Sequence, residues 1–256
     1  MIQKKRNTIL ILSLLWGAFH TLSLQAQALE LVPYTDGAQT LNGRITSNAG
    51  QDLPGVLILP AWQGIDDEAK QAALNLEKQG YIAFIADIYG EGHIPEDKQA
   101  AAKISGKFKK DYKAYQKRIG LALETLIKQG AQKDKIAIIG YCFGGTGALE
   151  AARAQLAVQG VVSIHGGLDK ASDRPHTPLK TKILIENPAD DPGVTKAVYE
   201  ALVKEMDEGG ADWQIITYAH SGHTFTDPQS PEYNEIMAKR AWKHTLVFLE
   251  EVLQNK

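Results

Sequence analysis

Short runs that are apolar at every position alternate with segments of helical periodicity along most of this chain, and that alternation restricts the fold more than any other feature. Residues 56–59, 81–86, 135–139, 161–164, 182–185 and 213–218 read as strands. Residues 66–79, 112–129, 146–159, 195–208 and 231–253 read as helices, and Gly80 and Gly130 close the first two. A strand without polar alternation must be covered on both faces, which calls for a mostly parallel sheet between two helical layers. Residues 29–33 and 40–46 come first with no helix between them, so an antiparallel pair is expected to lead in. The predicted fold is a single three-layer α/β domain over residues 29–256, with no internal repeat or linker. Its ligand site belongs past the carboxyl ends of the strands.

The first 28 residues do not fit that pattern. Lys4, Lys5 and Arg6 form a basic start, residues 8–24 are largely apolar, and Ala26-Gln27-Ala28 is a small-x-small cleavage pattern. This is the layout of a secretory signal peptide, which predicts export to the periplasm or the medium after cleavage near Ala28. The alternative is a retained anchor, since the apolar stretch approaches spanning length. His20, Ser23 and Gln25 interrupt its far end, however, and no cysteine near the cleavage pattern offers a lipid attachment site. Cleavage removes three cations and no acid, leaving 25 Lys and Arg against 30 Asp and Glu. A mature net charge of −5 with no basic stripe argues against a nucleic-acid partner and against an anionic membrane surface.

The chain has one cysteine, Cys142, which can form no internal disulfide. In an exported protein a lone thiol calls for an explanation. One reading is a small buried hydrophobe. The other comes from its setting, Gly140-Tyr141-Cys142-Phe143-Gly144-Gly145 between a predicted strand and a predicted helix. That is the nucleophile elbow G-x-S-x-G with cysteine replacing serine. The turn is so tight that a side chain two residues to either side of the nucleophile would meet backbone, and Gly140 and Gly144 meet that demand. Gly145 lets the helix approach the strand. The sulfur would stand at a helix N-terminus, where the dipole favours thiolate, and the Phe143 amide would face a developing oxyanion. A dinucleotide fingerprint and a P-loop both fail on spacing.

A thiol nucleophile needs a base and a group that orients the base. In this architecture the order is nucleophile, acid, histidine, each past a later strand. Asp191 follows the 182–185 strand, with Asp190 as its near rival, and His223 follows the 213–218 strand, with His220 nearby. His165 also follows a strand and is open to a structural role or a place in the cleft. The pair His220-x-x-His223 supplies too few ligands for a metal, so no metal or cofactor is expected.

Together GYCFGG, the Asp190-Asp191-Pro-Gly-Val run, SGHTFTDP, ADIYG at 86–90 and LPAWQG at 59–64 resemble the dienelactone hydrolase family over essentially the whole mature chain. The resemblance implies an α/β-hydrolase fold and a Cys142-Asp191-His223 triad, with the amides of Trp62 and Phe143 as the oxyanion hole. The pocket it implies is a small-molecule ester or lactone site, with Trp62, Tyr89, Tyr141, His165 and Phe225 as candidate wall residues. Three positions depart from the family's substrate-handling pattern. Ala61 stands where a glutamate controls the cysteine, and Glu91 and Asp227 stand where arginines clamp a carboxylate. An uncharged or cationic ester, lactone or thioester therefore suits this chain better than dienelactone. Two rivals stay open: an idle hydrolase fold used for binding, and a redox-responsive thiol protein. The oligomeric state is not legible.

Overall fold

The computed structural model describes residues 28–254 except 172 and 176, so the expected signal peptide lies outside the described residues apart from Ala28. The lead-in pair is a hairpin of β1 (Glu30–Asp36) and β2 (Gln39–Ile45), paired from Glu30↔Ile45 to Asp36↔Gln39. Then follow β3 (Gly55–Leu59), α1 (Asp67–Lys78), β4 (Ile82–Ile85), α2 (Lys98–Lys110), α3 (Tyr112–Lys128) and β5 (Ile136–Tyr141). The second half runs α4 (Phe143–Arg153), β6 (Gly160–Ile164), β7 (Lys182–Pro188), α5 (Lys196–Gly209), β8 (Trp213–Tyr218) and α6 (Glu235–Leu253). One eight-stranded sheet results, in the order β1-β2-β4-β3-β5-β6-β7-β8. Only the β1-β2 and β2-β4 pairings are antiparallel. Pro33, which has no amide hydrogen to donate, lies on the edge strand β1, where a missing donor costs least.

β3, β4, β5 and β6 are buried at every position, as their unbroken apolar runs require. Alternate side chains feed two cores. On one face Leu57, Phe84 and Ile138 meet Phe108 of α2, Ile119 and Leu126 of α3, Leu149 of α4 and Met206 of α5. On the other Val56, Ile58 and Ile139 meet Ala69, Ala73 and Leu76 of α1 and Leu249 and Leu253 of α6. The α/β architecture expected from the apolar runs is the one observed.

The differences lie at helix ends and in one helix that periodicity did not disclose. α4 begins at Phe143 rather than Thr146, because the chain turns from strand to helix within the elbow itself. It ends at Arg153 rather than Gln159, and Gln155 in the left-handed region (φ 53°) terminates it. α6 begins at Glu235, where the Asn234 side chain caps the Met237 amide. α2 was hidden because it is lysine-rich and buries only Ala101, Ser105 and Phe108; Asp97 caps it through the Ala100 amide.

An ionic cluster fixes the far end of α4. Arg153 is 6 % exposed; its guanidinium meets Glu150 Oε1 at 2.9 Å and Glu205 Oε2 of α5 at 2.8 Å. Arg174 adds two bonds to Glu150, at 2.7 and 2.8 Å. Burial alone would raise both carboxyls, but the arginine hydrogen bonds and charges outweigh it and hold Glu150 and Glu205 below the usual range. The helix that carries Cys142 at its start is therefore bolted at its end, which limits how far the elbow can shift.

Candidate active site

Four strands deliver four side chains to one end of the sheet. Cys142 follows β5, His165 follows β6, Asp191 lies past β7 and His223 lies past β8. Cys142 sits at φ 51°, ψ −110°, a conformation that an L-residue adopts only when its surroundings force it. Two contacts hold it: its amide donates to the Ile164 carbonyl at 3.0 Å and to His165 Nδ1 at 3.1 Å. The flanking glycines are a steric requirement. A Cβ on Gly140 would overlap the Gly144 carbonyl, and one on Gly144 would overlap the Leu59 carbonyl. A Cβ on Gly145 would come within 2.7 Å of the Gly166 Cα.

The elbow presents the sulfur to His223, whose Nε2 is 3.1 Å from Cys142 Sγ. His223 Nδ1 is 2.7 Å from Asp191 Oδ2, and Asp191 Oδ1 accepts from the Gly193 amide at 2.7 Å. With Nδ1–H donating to the carboxylate, Nε2 faces the sulfur and can hold the proton shared between them. The histidine loop is pinned on both sides. The Asp190 amide donates to the Ser221 carbonyl, the Asn234 side chain donates to the His220 carbonyl, and Glu232 accepts from the Thr224 amide. Asp190 and His220 themselves are exposed and outside the arrangement. The hydrogen bond to Asp191, then that to Cys142, push His223 up to about 10. Burial would raise Asp191, but its bond to His223 and that from Gly193 hold it below the usual range.

His165 is 2 % exposed, and burial, reinforced by nearby His223, depresses it to about 3. It is therefore neutral. Because its Nδ1 accepts from Cys142, its Nε2–H donates to Thr226 Oγ1 at 2.7 Å, and Thr226 donates to Glu68 Oε1 at 2.6 Å. Its ring meets that of His223 edge-on, with centroids 5.5 Å apart. His165 thus braces both the elbow and the base. Thr226 and Glu68 were missed from sequence. Glu68 reads there as an ordinary acid in the first turn of a helix, and nothing local marks its contact with Thr226.

Trp62 is half-buried; its carbonyl accepts the Tyr89 hydroxyl at 2.7 Å, and Tyr89 stacks on Phe143 at 5.8 Å. Phe143 in turn stacks on Tyr115 at 4.4 Å. The two amides expected to flank an oxyanion thus belong to one rigid aromatic stack. Of the six helices among the described residues, five have a side-chain N-cap, from Asp66, Asp97, Asp111, Thr195 and Asn234. α4 has none, so its positive end is left for a ligand.

The expected aromatic wall is differently placed. Tyr89 is 4 % exposed with its hydroxyl engaged, and Phe225 is fully buried against Tyr218 and His165. Tyr141 points to the α1/α6 face, because strand alternation sends it away from the side on which Cys142 turns out. These side chains build the floor and supports of the site, and Trp62 alone of the expected aromatics keeps substantial exposure. Asp227 lies beside Asp66 and Glu68 rather than over the sulfur. Among the described residues no group of three or more His, Cys, Asp or Glu side chains is placed to hold a metal.

The sequence model of the dienelactone hydrolase family matches residues 41–253. The chain belongs to that family. It is 30 % identical over 215 residues to the Bradyrhizobium protein named "Probable 2-oxo-3-(5-oxofuran-2-ylidene)propanoate lactonase", covering 80 % of this chain and 86 % of that one. It is 25 % identical over 210 residues to a carboxymethylenebutenolidase of Pseudomonas sp. (strain P51), covering 78 % and 85 %. Among solved structures, a dienelactone hydrolase-like promiscuous phosphotriesterase from metagenomic libraries superposes with a TM-score of 0.80 at 28 % identity, covering 88 % of this chain and 98 % of that one. The Klebsiella pneumoniae protein named "Putative Dienelactone Hydrolase" shares the fold at a TM-score of 0.75 and 18 % identity, covering 88 % and 99 %.

The electrostatics give a direct expectation for this family member. The folded His223 value lies above the ordinary 6.5, so the stability that its charged form contributes is complete below about 6.5 and is lost as pH rises through about 10. Histidine NMR titration should find His223 protonated well past neutrality, and Asp191→Asn should lower its midpoint by at least about one unit. A wild-type His223 midpoint near 6.5 contradicts the described coupling.

Proposed function

We propose that this protein hydrolyses carboxylic esters or lactones through an acyl-thioester on Cys142. Hydrolysis of that bond class is what family membership and the lactonase and carboxymethylenebutenolidase relatives support. The observation that carries the cysteine mechanism is the line Cys142 Sγ, His223 Nε2 at 3.1 Å, His223 Nδ1, Asp191 Oδ2 at 2.7 Å. His223, protonated at neutral pH, holds on Nε2 the proton that the thiol gives up, and the sulfur attacks the carbonyl carbon. The carbonyl oxygen gains the negative charge and settles on the Phe143 amide at the uncapped start of α4 and the Trp62 amide of the loop after β3. Collapse expels the alkoxide, which leaves with the proton held by His223. A water then gives a proton to His223 and attacks the thioester. Collapse of that intermediate releases the acid and returns the cysteine.

No arginine stands at the positions that would clamp a substrate carboxylate, where Glu91 and Asp227 occur. The substrate in this reading is an uncharged or cationic ester, lactone or thioester. Turnover of aryl esters, lactones and thioesters by the purified mature chain tests it. Cys142→Ala should lower the rate on the best substrate by roughly 10³-fold or more, and Asp191→Asn and His223→Ala by about 10²–10⁴-fold. Asp190→Asn and His220→Ala, at exposed positions, should stay within about threefold of wild type. Wild-type turnover by folded Cys142→Ala would end this reading in favour of a buried structural cysteine.

We further propose that the chain is exported with cleavage after Ala28. The basic, apolar and small-x-small order of residues 1–28 supports this, and cleavage there leaves β1 intact from Glu30. Intact mass of the exported protein should correspond to a chain beginning at Leu29; a membrane-bound chain retaining Met1 contradicts it.

A further inference from the structure

A second cavity, of about 500 Å³, opens between α1 and α6 on the opposite face of the sheet from α4. Neither Cys142 nor His223 lines it. Its walls include Ala72 of α1, Ala238 and Trp242 of α6, and the 226–229 loop, and its floor includes Tyr141 and Ile164. Four carboxyls, Asp67, Glu68, Glu186 and Asp227, and two lysines, Lys239 and Lys243, are set into this mostly apolar lining.

Glu186 is the anomaly. It sits on β7, beside the edge strand β8, at 1 % exposure, where an acid is rare without a partner. Thr245 of α6 donates to its Oε1 at 3.1 Å, but Oε2 has no hydrogen-bond partner. A buried polar atom left without a partner destabilises the fold unless something else engages it. The two lysines of the lining, Lys239 and Lys243, are exposed, whereas Glu68 is half-buried and Glu186 buried. Lys239 is paired with Glu235, and Asp67 is paired with Lys70.

We propose that this cavity binds a small organic cation, a primary ammonium on an apolar body of modest size. The ammonium meets Glu186 and Glu68, and the apolar body lies against Trp242, Ile164 and Ala72. An ammonium brings three donors and a positive charge to a place where a buried carboxyl oxygen of Glu186 lacks a partner. Burial raises both acids, Glu68 to about 8, so the empty cavity favours their protonated forms and a bound cation draws them back to carboxylates. A neutral alcohol of the same length would fill the apolar part without that gain. The proposal does not need the hydrolase reading: Cys142, Asp191 and His223 lie outside the cavity, and Glu68 touches that arrangement only through Thr226 and His165.

Isothermal titration of the full mature protein with n-hexylamine at neutral pH tests it, with 1-hexanol as the neutral control and hexanoate as the anionic one. Hexylamine should bind saturably, one per chain, at least about tenfold more tightly than hexanol, with hexanoate weaker still. Glu186→Gln and Glu68→Gln should each weaken hexylamine by about tenfold or more. Ala238→Trp, at a half-exposed position, fills the cavity and should abolish binding even if a glutamate variant fails to fold. Cys142→Ala should bind as wild type does. Absence of saturable hexylamine binding overturns the proposal. So does equal affinity for hexanol, or binding that survives Ala238→Trp or both glutamine substitutions.

Discussion

Cys142 occupies a left-handed backbone conformation that its own side chain disfavours, at φ 51°, and the surrounding chain is built to hold it there. The amide is tied to the Ile164 carbonyl and to His165, both from the neighbouring strand and its exit. Gly140 and Gly144 admit the close backbone approach, and the ionic cluster around Arg153 anchors the far end of the same helix. Strain at one residue is thereby spread over contacts with β3, β6 and α5. What the strain achieves is direction. The sulfur leaves the sheet toward His223 while the start of α4 stays uncapped beneath it.

Much of this was legible because the relevant residues are local in sequence. The unbroken apolar runs gave away the buried strands, and the glycine spacing around Cys142 gave away the turn. Asp191 and His223 could be placed because each follows a strand, and their exposed neighbours Asp190 and His220 remain outside the arrangement. The hydrogen-bond line through Thr226 and Glu68 was not legible. Those two residues lie 158 positions apart, and each taken alone looks like a loop hydroxyl or a helix-start acid. Glu186 was hidden likewise: its partner Thr245 is 59 positions away, and the strand that carries it reads as simply apolar. Tyr141 and Phe225 were read as cleft aromatics, but strand alternation and loop packing bury them.

His165 links these two levels. A neutral, fully engaged imidazole accepts from the Cys142 amide, meets the edge of the His223 ring and passes its second hydrogen bond to Thr226. The Cys142-His223 geometry is therefore held by groups outside it, the preorganisation that the proposed acyl transfer calls for.

The central claim is that the sulfur of Cys142 becomes acylated. Acid quenching of the enzyme within a single turnover of an aryl ester, followed by intact mass and peptide mapping, tests this directly. The account predicts a mass gain of one acyl group in place of one hydrogen, mapped to the peptide containing Cys142, that decays at the rate of turnover. Product release with the acyl group on another residue, or with no adduct at any quench time while Cys142→Ala turns over normally, would contradict it.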